Sequence, residues 1–210
     1  MSYMAVELGI WEIAVLALLR EAPMHPYQMQ RLLRERHKDE ILALKRGSLY
    51  HAIDRLLRAN FISVKSTERE GRRPERTTYR ITPAGREEFF AVLHSIVATP
   101  RRESSEFMAA MSFLVHLSAA EAVPLLRDRS NNLKQQIEHL SASLKSASAY
   151  VDRINLVESE YLLAMLRAEL AWVQGLERDI QNGKLVWKAK LIFKDARAHR
   201  QSAAEPEKRP

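Results

Sequence analysis

The 210-residue sequence has no cysteine, only six glycines and eight prolines. Without cysteine there is no disulfide, no thiol nucleophile and no thiolate zinc site, so nothing ties the chain to an oxidising compartment. So few glycines and prolines leave little room for an all-β fold of many tight turns, while abundant Leu, Ala, Glu, Arg and Lys favour helices. The seven histidines stand in no HExxH or paired His and carboxylate spacing, so no metal is expected. No stretch approaches the ~18 uninterrupted apolar residues of a spanning helix. Residues 1–12 lack a basic segment followed by an apolar one. A cytoplasmic protein with no membrane partner is the expectation. No Ser/His/Asp or Cys/His arrangement, phosphate-cradling glycine loop or paired buried carboxylates can be pointed to, so neither an enzyme nor a cofactor is expected.

What is present is helix-forming, apolar and basic. Hydrophobic residues make up 46% of the chain, enough for a buried core, and the net charge of +7 fits a polyanion partner without proving one. The charge is uneven. Residues 1–98 carry 16 Lys and Arg against 12 Asp and Glu, residues 99–185 carry 10 against 11, and residues 186–210 carry 7 against 3. This distribution predicts a DNA-facing head over 1–98, a protein-facing body over 99–185 and a basic tail over 186–210.

In the head, Leu8, Trp11, Val15, Leu18 and Leu19 recur at steps of three and four, widened by Ile13 and Leu16. A helix apolar over so much of its circumference is buried on two sides, and Trp11 belongs to its core or to a dimer contact. Pro23 and Pro26 separate it from a second helix over 27–36, with Pro26 suited to a first turn. A third helix is predicted after a Gly47-Ser48 turn with Ser48 as N-cap; Leu49, Ile53, Leu56 and Leu57 form its apolar face. Ser48, His51, Arg55 and Arg58 take the other face, with Tyr50 at the boundary. Exposed residues at the start of such a helix reach base edges in the major groove, and Lys45 and Arg46 stand where helix dipole and positive charge both favour a phosphate.

Residues 61–67 alternate with Ile62 and Val64 on one face, and residues 77–82 alternate with Tyr79 and Ile81 inward. Between them lies a polar stretch with Arg69, Arg72, Arg73 and Arg76, turned by Gly71 and Pro74. Helix, strand, charged hairpin and strand in this order describe a winged helix-turn-helix, with arginines at the wing tip for phosphates or the minor groove. The candidate DNA-binding residues are therefore Lys45, Arg46, Ser48, Tyr50, His51, Arg55, Arg72, Arg73 and Arg76.

The segments LALLREAPMHPYQMQRLL, RGSLYHAIDRLLRANFI and GRRPERTTYRITPAGREEF resemble the PadR-type transcriptional regulators. Leu49-Tyr50, Arg55 to Leu57 and the run of Tyr79, Thr82 and Gly85 carry the likeness most specifically. It covers residues 8–93 strongly and 104–182 more loosely. Position 26 holds Pro where many relatives have Gly before the matching Tyr. The resemblance implies a homodimer on a two-fold operator that usually represses transcription and is released by a small molecule or other signal.

Thr82 and Pro83 open a further helix with Phe89, Val92, Leu93 and Ile96 on one face, and Thr99 to Ser105 is a polar break. A short helix is predicted over 107–117, and Ser118 caps the next with Glu121 in capping-box spacing. Leu133, Ile137, Leu140, Leu144, Ala147, Val151 and Ile154 form a seam about three heptads long. The last body helix carries Leu162, Leu166, Leu170, Val173, Leu176 and Ile180, and Asn182-Gly183 ends it. Two long antiparallel helices with such stripes need a partner, which the resemblance makes a second copy. Candidate dimerisation residues are Trp11, Leu133, Ile137, Leu140, Leu144, Val151, Ile154, Leu166 and Val173.

Met108, Met111, Tyr161, Met165 and Trp172 form a candidate pocket for a small-molecule effector, set against simple dimer core as the plainer reading. The expected fold is mainly α with a small β-hairpin: a winged helix-turn-helix domain followed by a helical dimerisation domain. The expected function is a sequence-specific, repressing DNA-binding regulator whose partners are double-stranded DNA and itself; the alternative is an architectural or partner-docking winged-helix protein.

Overall fold

The computed structural model describes residues 8–36, 38, 46–68, 76–100 and 105–187, with the backbone alone at 46, 47 and 68. The chain divides into two compact units, residues 1–103 and residues 104–210.

The first unit runs α1 (Ile10–Glu21), α2 (Pro26–Glu35), α3 (Arg46–Arg58), β1 (Ile62–Glu68), β2 (Arg76–Ile81) and α4 (Pro83–Ala98). Helix α1 has Glu12 in its first turn and Arg20 in its last, both favourable to the helix dipole. The start of α2 is closed by a capping box: the Tyr27 N–H donates to His25 Nδ1 at 3.0 Å, and the His25 N–H donates to Gln28 Oε1 at 3.0 Å. Helix α3 begins at Arg46, so the expected Gly47-Ser48 turn is already helical and Ser48 is not its N-cap. First-turn N–H groups have no acceptor within the helix, which is why Gly and Ser are tolerated there. Asn60, at φ 58°, turns the chain out of α3 toward β1.

The hairpin is antiparallel, pairing Ile62 with Ile81, Val64 with Tyr79 and Ser66 with Thr78. Lys65 is the extra residue of a bulge, and beside it Val64 is half exposed, not inward like Ile62. A third chain segment joins the sheet: the Met24 N–H donates to the Tyr79 carbonyl at 3.1 Å and the Tyr79 N–H to the Met24 carbonyl at 3.2 Å.

The sheet is tied to α4 by Thr82. Its hydroxyl accepts the Gly85 N–H at 3.0 Å and lies 2.8 Å from the Asn60 carbonyl, and its N–H donates to the Phe61 carbonyl at 3.0 Å. A Cβ at Gly85 would lie 2.0 Å from that Phe61 oxygen, so only glycine fits. The core gathers Val15, Leu16 and Leu19 from α1, Met29 and Leu33 from α2, Leu49, Ala52, Ile53 and Leu56 from α3, then Ile62 and Phe89. Val92 and Leu93 pack partly against it; Ile96, expected on the same face, is exposed because α4 has by then run past this core.

The second unit contains α5 (Glu106–Ser112), a 3-10 turn over Leu114–His116, α6 (Ala119–Ala147), a second 3-10 turn over Arg153–Asn155 and α7 (Val157–Gln181). The single helix expected over 107–117 is thus broken at Phe113. Ser118 caps α6 as predicted: its hydroxyl accepts the Glu121 N–H at 3.3 Å, and its own N–H donates to Glu121 Oε2 at 2.8 Å. Helix α6 ends at Ala147, so the last two seam residues, Val151 and Ile154, lie beyond it, and Ile154 is exposed. Helices α6 and α7 pack along each other around Leu126, Leu133 and Val173, flanked by Leu166, Leu170, Leu176 and Ile180. Gly183, at φ 69°, follows Asn182 and donates its N–H to the Ile180 carbonyl at 3.2 Å, ending α7 where the sequence placed the stop.

Candidate nucleic-acid interface

Helix α3 is anchored by one face and free on the other. Leu49, Ala52, Ile53 and Leu56 are buried, while Tyr50, His51, Arg55 and Arg58 are exposed and Ser48 is half-buried. Ser48, His51, Arg55 and Arg58 follow steps of three and four, and with Trp11 of α1 they line a cleft of about 310 Å³. The face offers a hydroxyl, an imidazole and two guanidinium groups, the donor and acceptor types that read base edges and hold phosphates.

The two arginines differ in how free they are. Arg58 is held loosely by Asp54 one turn back: its Nη2 lies 3.7 Å from the Asp54 carboxylate, with both side chains exposed, and its Nε donates to the Asp54 carbonyl at 3.4 Å. Arg55 is bound through Nε and Nη2 to Oε1 of Glu12, a residue 43 positions earlier in the chain and almost fully buried. Among the described residues, the other oxygen, Glu12 Oε2, has no hydrogen-bond partner. Sequence reading missed Glu12. The available signal was its place among Leu8, Val15 and Leu19 at steps of four and three: a lone carboxylate on a buried stripe needs a cation.

Arg76 opens β2, exposed and opposite Glu68 in the ladder, and its charge together with burial lowers the His25 pKa, burial being the larger cause. That keeps His25 neutral and able to accept the capping hydrogen bond. Tyr79, packed partly against the core, is held above the ordinary tyrosine range by burial, then by Asp54 and Tyr50. A fork of two hydrogen bonds, 2.5 and 2.7 Å, joins Arg36 at the end of α2 to Glu21 at the end of α1, and it lowers the Glu21 pKa. Lys45, Arg72 and Arg73 lie outside the described residues, and Arg46 is placed by its backbone as the first residue of α3.

Among the candidate dimerisation residues, Leu133 and Val173 are buried in the cluster that α6 and α7 form within the single chain. Trp11, Ile137, Leu140, Leu144, Val151 and Leu166 are half-buried. Of the candidate effector-pocket residues, Met108, Tyr161, Met165 and Trp172 are each more than half exposed and Met111 is half-buried. Trp172 packs edge-on against Phe107 at 6.1 Å between ring centroids, and the Arg129 guanidinium lies 3.5 Å over the same Phe107 ring. A separate groove of about 380 Å³ runs along α6 and α7, lined by Asp128, Arg129, Asn132, Gln136, Leu166 and Glu169 among others. Among the described residues, no His, Asp or Glu cluster could hold a metal and no helix is long and apolar enough to cross a membrane.

A helix-turn-helix whose third helix shows a polar face, followed by a two-stranded wing, defines a winged-helix DNA-binding protein. Residues 15–91 match the model of the transcriptional regulator PadR-like family. The chain is 23% identical over 173 residues to the negative transcriptional regulator PadR of Bacillus subtilis (strain 168), covering 80% of this chain and 94% of that one. Among solved structures, it matches Bacillus subtilis PadR in complex with operator DNA with a TM-score of 0.65 at 21% identity, over 83% of this chain and 99% of that one. The same relative in complex with p-coumaric acid gives 0.67 at 20% identity, over 82% and 99%. The family match over residues 15–91 and the PadR relatives support a DNA-binding transcriptional regulator of the PadR type, a family whose members are transcriptional regulators and not enzymes.

Proposed function

We propose that this regulator represses transcription as a homodimer bound to a two-fold operator and leaves it when a small molecule binds. The observation that carries the reading is the exposed face of α3, with Ser48, Tyr50 and His51 at its start and Arg58 behind them. Ser48 and His51 contact base edges, while Arg46, Arg76 and the neighbouring Lys45, Arg72 and Arg73 hold phosphates. Residues 1–98 serve as the DNA-binding domain, residues 99–185 as the dimerisation domain and residues 186–210 as a basic tail, all in the cytoplasm.

The exposed Ile154, Tyr161, Met165 and Trp172 support dimerisation, because an apolar surface of that kind on a monomer marks an interface or a ligand site. Release by a small molecule draws support from the relative that binds p-coumaric acid. The test is binding to the duplex upstream of the chain's own gene, against random duplex, across a salt series, with the mass of the complex measured alongside. A preference of a thousandfold or so for the upstream duplex is expected. No preference over random duplex, or one protein chain per site, overturns the corresponding part of the reading.

A further inference from the structure

Arg55 stands on the DNA-facing side of α3, yet its charge is already spent. Nε and Nη2 both bind Oε1 of Glu12, which is buried under α3 on the neighbouring helix α1. Ser48, His51 and Arg58 share the same cleft and, among the described residues, have no such buried partner. We propose that Glu12 is a specificity-determining positioning residue: it withholds Arg55 from the phosphates and fixes the seating of α3 on α1. The inference rests on the proposed operator binding by α3.

A buried carboxylate with one unpartnered oxygen is costly to keep, and Arg55 supplies its only hydrogen bonds among the described residues. Separating the pair would leave that charge buried and unpaired, so the guanidinium is not free to leave for a phosphate. The paired carboxylate also cancels much of a cation that would otherwise attract any duplex equally, since phosphate contacts raise affinity without reading sequence. The pair therefore lowers indiscriminate attraction at the point where α3 reads bases, and it clamps the two helices across 43 residues of sequence.

The experiment measures binding of the full chain to its operator and to random duplex between 50 and 200 mM salt. Wild type must first prefer its operator; if it does not, the operator reading itself has failed and the inference falls with it. Glu12→Gln keeps the shape and releases the cation. It should bind random duplex more tightly, lose affinity about 3.5-fold more steeply across that salt range, the effect of one added phosphate contact, and show a lower ratio of operator to random binding. A Glu12→Leu, Arg55→Leu double variant replaces the pair by apolar groups and covers the case in which Glu12→Gln fails to fold, a point read from its thermal melt. Its salt dependence should equal that of wild type, because no phosphate contact is lost. A shallower salt dependence in the double variant would show that Arg55 binds phosphate in the native protein and would overturn the proposal. So would a Glu12→Gln protein that folds and keeps the wild-type ratio and salt dependence.

Discussion

The two units spend their apolar residues differently. In the first, a continuous core joins α1, α2, α3, the hairpin and α4, and it includes fully buried Val15, Leu16, Met29, Leu49 and Leu56. In the second, the described core narrows to Leu126, Leu133 and Val173 between two long helices, and Met108, Phe113, Leu125, Ile154, Tyr161, Met165 and Trp172 remain exposed. A unit with a layered core can hold its shape alone. A helix pair with one buried seam has apolar surface unspent, and burial of that surface is the main source of stability still open to it. The difference teaches where each unit is sensitive: the head to anything that disturbs its interior, the body to anything that disturbs its outside.

The largest effect is expected where the head has no space at all. Gly85→Ala forces a Cβ into the Phe61 carbonyl and should cost about 3 kcal/mol or more, read as a fall in melting temperature. A melt within a degree of wild type would break the claim that the junction of hairpin and α4 is rigid. Next comes the body's one seam. Leu133→Ala should cost about 2 to 5 kcal/mol in denaturant unfolding if the α6–α7 contact sustains this unit, and much less if the body is held mainly by a partner.

The outside of the body should respond in a different currency. Ile154→Glu changes a residue exposed in the single chain, so the stability of a monomer should move by no more than about 0.5 kcal/mol. In a dimer that uses this surface, the same change should shift the sedimentation equilibrium toward monomer. An unchanged equilibrium would mean that exposed apolar residues in the body are simply solvated. On the DNA side, Arg76→Ala should flatten the slope of log affinity against log salt by about 0.9, one phosphate contact, with the preference for operator kept.

The smallest effect concerns pH in the head. Burial, then Arg76, lowers the folded pKa of His25 below its ordinary value of 6.5. The contribution of neutral His25 is therefore fully present above pH 6.5 and is lost as pH falls from there through the lowered folded value, since protonation of Nδ1 abolishes its acceptance of the Tyr27 N–H. His25→Asn, which retains a cap acceptor without titrating, should remove that part of the pH dependence from the melting curve. An identical pH profile in the variant would remove His25 from the account.

Most of the head was legible in the sequence because its signals are local. Pro26 and the Thr82-Pro83 start each act within about one turn of the backbone, and the spacing of Leu49, Ile53 and Leu56 names a buried face without reference to its partner. The misreadings occurred where local signals were equally compatible with two outcomes. Gly47-Ser48 suits a turn or a first helical turn, and Val151 and Ile154 kept a heptad rhythm after α6 had ended. Within the candidate site, the outward faces of Ser48, His51 and Arg58 followed from periodicity, while the wing residues Arg72 and Arg73 remain known as sequence alone.

By itself, the sequence determined the order of elements, the capped starts of α2, α4 and α6, the stop after α7 and the polar face of α3, since backbone capping and hydrophobic period are settled among neighbours in the chain. Tertiary structure decided which distant groups meet. It set Glu12 beneath Arg55, Gly85 against the Phe61 carbonyl, Met24 beside Tyr79, and Leu133 and Val173 inside their own helix pair. These outcomes depend on how whole faces pack, and the energy of a buried charge or a missing methyl group is defined only once the opposite face is in place.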